Sequence, residues 1–392
     1  MTAPTERASP RPNLLRELAG GVGDWGLLIP ISIALVALNG LAATVVFAGA
    51  GLTYLATAIY FRVPVPVQPL KAFGAVAIAQ GLSAEVIAAG ALLMAGTMAA
   101  LAITGAATWL AERFPLVLVR GIQAAVAMLL AKAALDLARA GNWEGLPAID
   151  PVASYGLAIA ACGLLFWSSR SSSLPGSLIV LAGGAAIGLA VAGWPDLSWG
   201  PELSAVSIPG GAAFATALTT LVLAQLPLTF GNSIVATADA EREYFGVRAK
   251  RVTPRRLSAS IGLANGFSGL FGGLPVCHGA GGVTAHYKLG ARTWRATAMA
   301  GAILLTLGLA LGETLPGLLQ LVPPGALAGM LMFVAIQHAF LAARVASEID
   351  RIIVVVVGSV TLLAGNLAWG FAAGAVLLAI AHWLPTRSLA RV

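Results

Sequence analysis

Residues 63–71 read VPVPVQPLK, and residues 272–282 read GGLPVCHGAGG. Each stretch interrupts otherwise apolar sequence, and Pro66 and Pro275, which occupy matching places in the two stretches, lie 209 positions apart. Prolines and β-branched residues favour extended backbone and disfavour helix. Each stretch then leads into an apolar segment that is too short to cross a bilayer as a helix. We therefore predict two short extended pieces, each followed by a half-helix.

The start of a half-helix inside a membrane is predicted to attract anions. Its first backbone N–H groups have no partner within the helix, and the positive end of the helix dipole lies at the same place. Broken segments at corresponding places in two halves of a chain indicate the binding site of a transporter. Two such helix ends facing each other would form an anion site. The pattern therefore predicts an anion carrier.

Composition places the chain in the membrane. Of its 392 residues, 58% are hydrophobic and 10% are charged, and the mean hydropathy is +0.89. A soluble domain carries about 25% charged residues, so this chain lacks the polar residues to cover a water-exposed surface. We predict an all-α polytopic membrane protein. The net charge of +7 does not indicate nucleic-acid binding, because the basic residues lie in loops between apolar runs.

The apolar runs predict fourteen membrane segments, of which segments three and ten are the short ones. With the N-terminus inside, most of the loop arginines and lysines fall on the cytoplasmic side, whereas the outer stretches 142–151 and 194–209 contain neither residue. This asymmetry follows the positive-inside rule and predicts a multi-pass protein of the cell (inner or plasma) membrane with both termini cytoplasmic. The predicted segments are 24–41, 43–61, 69–82, 84–111, 115–138, 153–168, 174–193, 211–240, 256–273, 279–290, 294–312, 324–343, 350–364 and 367–384.

Seven segments in each half imply an inverted repeat, because an odd number makes the second half start on the opposite side of the membrane. A second correspondence supports the repeat: LIPIS at 28–32 resembles QLPLT at 225–229. The predicted divisions are a cytoplasmic N-terminal segment (1–19), the first repeat (20–193), an extracytoplasmic linker (194–210), the second repeat (211–384) and a cytoplasmic tail (385–392).

The run IGLANGFSGLFGGLP at 261–275 resembles the signature of the sulfate permeases (SulP). The variants at 64–71 and 275–282 more closely resemble the molybdate-transporter branch related to those permeases. The resemblance implies the fourteen-segment, seven-plus-seven inverted repeat. It also implies a core domain of segments 1–4 and 8–11, a gate domain of segments 5–7 and 12–14, and a tetrahedral oxyanion bound between half-helices three and ten.

The chain departs from the sulfate permeases in two places. Those permeases usually carry a cytoplasmic regulatory domain after the last span, and none is expected here because the sequence ends about where that span does. Many of them also have a carboxylate in segment eight, where this chain reads FGNSI at 230–234. Asn232 cannot take up or release a proton, so a proton-coupling role at that position is in doubt. Losing a negative charge there would suit a doubly charged anion.

The first candidate contacts lie where the first extended piece meets half-helix three. Gln68 could donate to an anion oxygen or could cap the broken backbone. Leu70 precedes Lys71, which lies in the first turn of the half-helix. A lysine at membrane depth is costly and marks a functional site by default. The alternative is that Lys71 extends to the interface or pairs with a carboxylate such as Glu85 or Asp239.

The second set of candidates lies on the other broken segment. Its small residues leave the backbone of half-helix ten uncovered, so a bulky oxyanion could approach the N–H groups closely; these are Gly279, Ala280, Gly281 and Gly282. Cys277 and His278 could form a catalytic dyad or a metal site, but no second cysteine is near. A neutral His278 that donates to the anion, or that holds the turn, fits better.

Three polar side chains near the middle of segments one and eight complete the candidate site. They are Ser32, Thr229 and Asn232. A hydrogen bond back to its own helix is the usual arrangement for Ser and Thr, so Asn232 is favoured among them. We predict no catalytic residue, cofactor or metal.

The leading hypothesis is a secondary transporter of molybdate that works by alternating access, with tungstate or sulfate as competitors. A sulfate, bicarbonate or nucleobase carrier of the same fold is the alternative, and an intramembrane enzyme using Cys277 and His278 is a remote one. No nucleotide-binding motif of the form G-x-x-x-x-G-K-[ST] occurs, which argues against ATP hydrolysis. The expected partners are a tetrahedral oxyanion and the lipid bilayer, with a proton or other coupling ion and a homodimer left open, and no nucleic acid.

Overall fold

The computed structural model of the chain describes residues 14–113, 115–141, 147–170, 176–194, 198–202 and 208–383. Seven helical stretches in these ranges are long and apolar enough to cross a membrane, and three further apolar helices are shorter. The molecule is therefore a multi-pass helical membrane protein, as predicted. The count of fourteen segments stays a prediction.

The first half contains nine helices and one strand among the described residues. Its elements are α1 (Leu14–Gly21), α2 (Trp25–Asn39), α3 (Ala43–Phe61), β1 (Gln68–Pro69), α4 (Lys71–Ala79), α5 (Ala84–Thr104), α6 (Ala106–Arg113), α7 (Leu116–Ala140), α8 (Pro151–Ser169) and α9 (Gly176–Ala192).

The second half opens with one long helical stretch, Gly211–Arg251. It consists of α10 (Gly211–Ala217), a π-helical turn (Leu218–Val222), α11 (Leu223–Leu228), a second π-helical part (Thr229–Ala236), α12 (Thr237–Phe245) and a final 3₁₀ stretch (Gly246–Arg251). Pro227 lies inside it, and proline removes a helical hydrogen bond. π-Helical turns often mark functional sites.

The remaining elements of the second half are α13 (Pro254–Phe271), β2 (Val276–Cys277), α14 (Ala280–Leu289), α15 (Trp294–Leu311), α16 (Leu315–Gln320), α17 (Pro324–Ala342), α18 (Glu348–Ala364) and α19 (Leu367–Trp383).

The observed boundaries differ from the predicted segments in four places. The segment predicted at 211–240 continues as one helical stretch to Arg251. The predicted segment 84–111 is divided into α5 and α6, because Gly105 adopts a left-handed conformation (φ 73°) that ends α5. Residues 14–19, predicted to belong to the N-terminal segment, are helical in α1, which packs on α14 and α15. The short helix α16 fills part of the predicted interval between 312 and 324.

The two predicted extended pieces are confirmed, and they pair with each other. Strand β1 runs antiparallel to β2, with Gln68 opposite Cys277 and Pro69 opposite Val276. The N–H of Leu70 donates to the carbonyl of Pro275 over 2.9 Å. Because α4 and α14 begin directly after these strands, the pairing brings the N-termini of both half-helices to one place.

The packing of the long helices follows an inverted repeat. In the first half, α3 precedes the strand and α5 follows the half-helix; α13 and α15 hold the same positions in the second half. Helix α3 packs on α15, and α5 packs on α13. Each of these helices thus packs against a helix of the other half, as expected for two halves related by a pseudo-two-fold axis.

The helices assigned by prediction to the gate domain also contact one another. Helix α7 packs on α17 and α18, and α17 packs on α8. The division into core and gate domains stays a prediction.

Candidate anion-binding site

The first turn of α14 offers free backbone donors next to open space. The first backbone bond of this turn runs from the N–H of Val283 to the carbonyl of Gly279, and within the described ranges no acceptor faces the amides of Ala280, Gly281 and Gly282. A Cβ atom added at Gly281 would have no neighbouring atom within 4 Å. A ligand beside Gly281 would therefore find unpaired N–H groups and the positive end of a helix dipole.

The first turn of α4 is partly capped by the long helical stretch of the second half. The Oε1 atom of Gln225 accepts a hydrogen bond from the N–H of Phe73 over 3.1 Å, and the N–H of Gly74 donates to the carbonyl of Leu70. The amides of Lys71 and Ala72 have no such acceptor among the described residues. Sequence reasoning quoted Gln225 in a repeat motif but did not predict it as a site residue.

Gln68 lies between the two half-helices and is 1% exposed. Its Nε2 donates to Oδ1 of Asp24 over 2.7 Å, whereas its Oε1 is buried without a hydrogen-bond partner in the described part of the chain. A Cβ atom on Gly279 would lie 2.0 Å from that Oε1, and one on Gly282 would lie 2.7 Å from Nε2. The glycines thus allow the Gln68 amide to pack against the start of α14.

Asp24 is the site residue that sequence reasoning missed. It immediately precedes α2 and is 7% exposed, and a Cβ atom on Gly282 would lie 2.6 Å from its Oδ2. That Oδ2 has no hydrogen-bond partner among the described atoms. The available signal was a carboxylate at the first residue of an apolar segment, which also fits a solvated helix end.

Lys71 is half-buried at the first position of α4, and its ammonium group interacts electrostatically with Asp24. The alternative pairings do not form. Asp239 pairs instead with Arg242 at 3.5 Å, and the exposed Glu85 accepts the N–H of Gly210 over 2.8 Å.

Asn232 is brought to the site by the second π-helical part. Its side chain is half-buried, and its Nδ2 lies 3.3 Å from the position that a Cβ atom would take on Gly279. Thr229 is fully buried and donates back to the carbonyl of Gln225 over 3.1 Å, the arrangement expected for a helical threonine. Ser32 is buried on α2, and none of the hydrogen bonds seen among the described residues joins its hydroxyl to the half-helices.

Cys277 and His278 do not form a dyad. The ring nitrogens of His278 contact the carbonyl of Pro66 at 2.7 Å and the hydroxyl of Ser260 at 3.0 Å. The thiol of Cys277 lies 3.6 Å from the carbonyl of Pro69. This geometry favours His278 as a residue that holds the turn. No group of three or more metal-binding side chains occurs within the described ranges.

The run 261–275, which precedes the second half-helix, supports β2 through two of its side chains. The Asn265 side chain accepts the N–H of Val276 over 3.1 Å and donates to its carbonyl over 2.6 Å. The hydroxyl of Ser268 donates to the carbonyl of Leu274. These bonds satisfy backbone groups that the extended conformation leaves unpaired in the membrane.

The chain matches a protein-family model described as "Molybdate transporter of MFS superfamily" over residues 16–130 and 217–337, which is more than half of the sequence. It is 29% identical to Molybdate transporter 2 of Arabidopsis thaliana, with 93% of this chain and 86% of that protein aligned. It is 27% identical to Molybdate transporter 1 of Chlamydomonas reinhardtii, with 92% of this chain and 90% of that protein aligned.

Two solved structures share the fold. The transmembrane domain of the cyanobacterial bicarbonate transporter BicA has a TM-score of 0.68 at 18% identity, covering 93% of this chain and 98% of that one. The anion transporter SLC26A9 of mouse, in its inward-facing state, has a TM-score of 0.63 at 16% identity, covering 97% of this chain and 70% of that one. At such low identity the likeness concerns the fold alone.

Proposed function

The chain belongs to the molybdate transporter family, and on that premise we propose that it carries molybdate across the membrane as a secondary transporter. The observation that supports this proposal best is the meeting of two half-helix N-termini through the β1–β2 pair. Unpaired amides and the positive ends of two helix dipoles attract an anion without any bound metal.

The donors around the meeting point suit a dianion with four oxygens. The amides of Ala280, Gly281 and Gly282 lie on one side, and the side chains of Gln68 and Asn232 add N–H donors. Lys71 contributes a positive charge. Molybdate accepts hydrogen bonds through every oxygen, so donors on several sides bind it. Sulfate is smaller and harder to dehydrate, so a site sized for the larger anion prefers molybdate.

We propose that the site moves by alternating access. Segments 1–4 and 8–11 act as a core that carries the half-helices, and segments 5–7 and 12–14 act as the gate against which the core slides or rocks. Both termini lie in the cytoplasm, the protein resides in the cell (inner or plasma) membrane, and a homodimer keeps the gate domains fixed. A continuous water-filled pore with channel-like conductance would contradict this mechanism.

A titration of the purified full chain tests the substrate. Molybdate, tungstate, sulfate, bicarbonate and uracil are compared by isothermal calorimetry and by the thermal stabilisation that each ligand confers. Molybdate is expected to bind most tightly of the five, with tungstate next. Stronger binding of bicarbonate or uracil would overturn the proposal and assign the site to a different substrate class.

A further inference from the structure

Asp24 presents a carboxylate to a site that otherwise attracts anions. Its Oδ1 accepts a hydrogen bond from Gln68, and its Oδ2 is buried without a partner in the described part of the chain. Although Asp24 occupies the cap position of α2, its side chain makes no capping bond. The carboxylate therefore has no evident role in holding the helix.

A cation does not neutralise this carboxylate by direct contact. The ion pairs found among the described residues join Lys132 to Asp136 and Arg242 to Asp239, so none involves Asp24. Lys71 acts on Asp24 only at longer range. Burying a charged oxygen without a hydrogen bond or a counter-ion is costly, and this cost favours a state in which the oxygen carries a proton.

The other titratable groups around Asp24 come from each neighbouring element. Tyr54 of α3 and Cys277 of β2 interact with it electrostatically. His278 is bonded to Pro66 and Ser260, and His286 of α14 stacks on Tyr54. On α17, His338 lies within electrostatic range of Lys71. Among these groups, Asp24 alone has both a buried oxygen without a partner and a hydrogen bond from the Gln68 amide.

A bound oxyanion further favours the protonated form of Asp24. Molybdate is fully ionised at neutral pH and offers acceptors only, and an ionised carboxylate also offers acceptors only. The two groups repel each other and cannot share a hydrogen bond. A protonated Asp24 loses its charge and gains an O–H donor, which either the anion or the unpartnered Oε1 of Gln68 can accept.

We propose that Asp24 takes up one proton together with the anion and releases it with the anion on the other side of the membrane. The proposal rests on the proposed function. An O–H bond forms at Oδ2 when the site faces the more acidic side, and the same bond breaks to water after the site has turned. The step involves no oxidation or reduction. One proton and one dianion together move one net negative charge.

A metal cation would neutralise the Asp24 carboxylate less well than a proton. Asp24 and Gln68 contribute two unpartnered buried oxygens, whereas hard cations take six or more oxygen ligands.

A second buried acid competes for the role of proton carrier. Glu241 of α12 is fully buried, and neither of its carboxylate oxygens has a partner among the described residues. It lacks a hydrogen bond to a site residue such as Gln68, which favours Asp24 as the coupled group.

The test uses the full chain in proteoliposomes and compares wild type with Asp24→Asn. Asparagine has the shape of aspartate, keeps an acceptor for Gln68 and cannot carry the proton. Asp239→Asn, on an exposed acid paired with Arg242, is the matched control, and Glu241→Gln tests the competing acid. Radioactive molybdate uptake is driven by a pH gradient, by a sodium gradient or by molybdate counterflow without either gradient.

Wild type and Asp239→Asn are expected to accumulate molybdate when the outside is more acidic, and to bind it up to about tenfold more tightly for each unit by which the pH falls. Asp24→Asn is expected to lose accumulation, and its affinity for molybdate is expected no longer to change with pH. Accumulation by Asp24→Asn, loss of coupling in Glu241→Gln instead, or a response to sodium alone would overturn the proposal.

Two further outcomes are separated by design. If wild type shows neither molybdate binding nor counterflow, the proposed substrate is wrong, and the same pH comparison is made with the anion that does bind. If Asp24→Asn is folded but inactive in counterflow, Asp24→Glu decides. Restored accumulation with Asp24→Glu supports the proton role, and its absence overturns it.

Discussion

The side-chain carbonyl of Gln225 accepts the backbone N–H of Phe73 over 3.1 Å, although the two residues are 152 positions apart. This bond links the long helical stretch of the second half to the half-helix of the first. It also occupies one of the amides that α4 would otherwise offer to an anion. The two broken halves of the site are therefore supported unequally, with α14 offering more free donors.

Replacing Gln225 with methionine should destabilise the protein. The N–H of Phe73 loses its Gln225 acceptor, and an unsatisfied buried group costs about 1–3 kcal/mol. The hydroxyl of Thr229 loses the Gln225 side-chain donor but keeps its bond to the carbonyl of residue 225. The apparent melting temperature in detergent should fall measurably. Thr219→Val serves as a control, because Thr219 is exposed and donates to its own helix. Equal melting temperatures for Gln225→Met and the control would contradict the assigned role.

A valine at Gly281 should abolish binding without unfolding the chain. The added side chain meets no protein atom within 4 Å of its Cβ, so it occupies the open space next to the free amides of α14. Molybdate affinity should fall by more than 100-fold, measured by calorimetry. Gly96→Val is the matched control, because Gly96 also has open space around its Cβ position but lies on α5. Wild-type affinity in Gly281→Val would place the anion elsewhere.

Removing a single side-chain donor should weaken binding less. Hydrogen bonds to a charged partner contribute about 1.5–3 kcal/mol each, so Asn232→Ala and Gln68→Ala should each reduce molybdate affinity roughly 10- to 100-fold. Asn366→Ala, which removes the side-chain cap of the Ala368 N–H near the C-terminal end of α4, where Gln80 contacts the carbonyl of Gly365, controls for a general loss of an amide. The site as drawn would be refuted by Asn232→Ala and Gln68→Ala variants that bind as tightly as wild type.

Replacing His278 should affect the stability of the protein directly and its molybdate binding indirectly. Its nitrogens contact Pro66 and Ser260, so His278→Ala should lower the melting temperature and, through the displaced turn, also weaken molybdate binding. In His278→Asn the side-chain amide can replace Nδ1 as a donor to Pro66, so most of the stability should return. If His278→Ala keeps wild-type stability but loses affinity, the imidazole contacts the anion instead.

Cysteine labelling tests the orientation in the membrane. In a variant with Cys162 and Cys277 replaced by serine, Trp199→Cys and Val247→Cys are introduced singly; the native side chains are 74% and 89% exposed. A membrane-impermeant maleimide added to intact cells should label position 199. Position 247 should react only after permeabilisation. The reverse pattern would place both termini outside.

The sequence alone determined where the helices lie and where the two broken segments interrupt them, because both depend on residues close together in the chain. Predicted and observed boundaries agree within a few residues for most segments, because hydropathy and glycine act locally. The same holds for the extended pieces, since the prolines in 63–71 and 272–282 restrict their own backbone and that of the preceding residue. The burial of single acids does not follow from local pattern: Glu241 comes directly after the predicted segment 211–240, and it is fully buried.

The tertiary structure alone decided which polar groups meet at the site. Asp24 reaches Gln68 across 44 positions, Asn265 holds Val276, and Gln225 caps α4. A polar side chain in an apolar segment must satisfy its hydrogen bonds inside the protein, but its sequence neighbours do not reveal which distant backbone group becomes its partner. Helix packing and the antiparallel pairing of β1 with β2 set those distances, so they could not be obtained from local pattern.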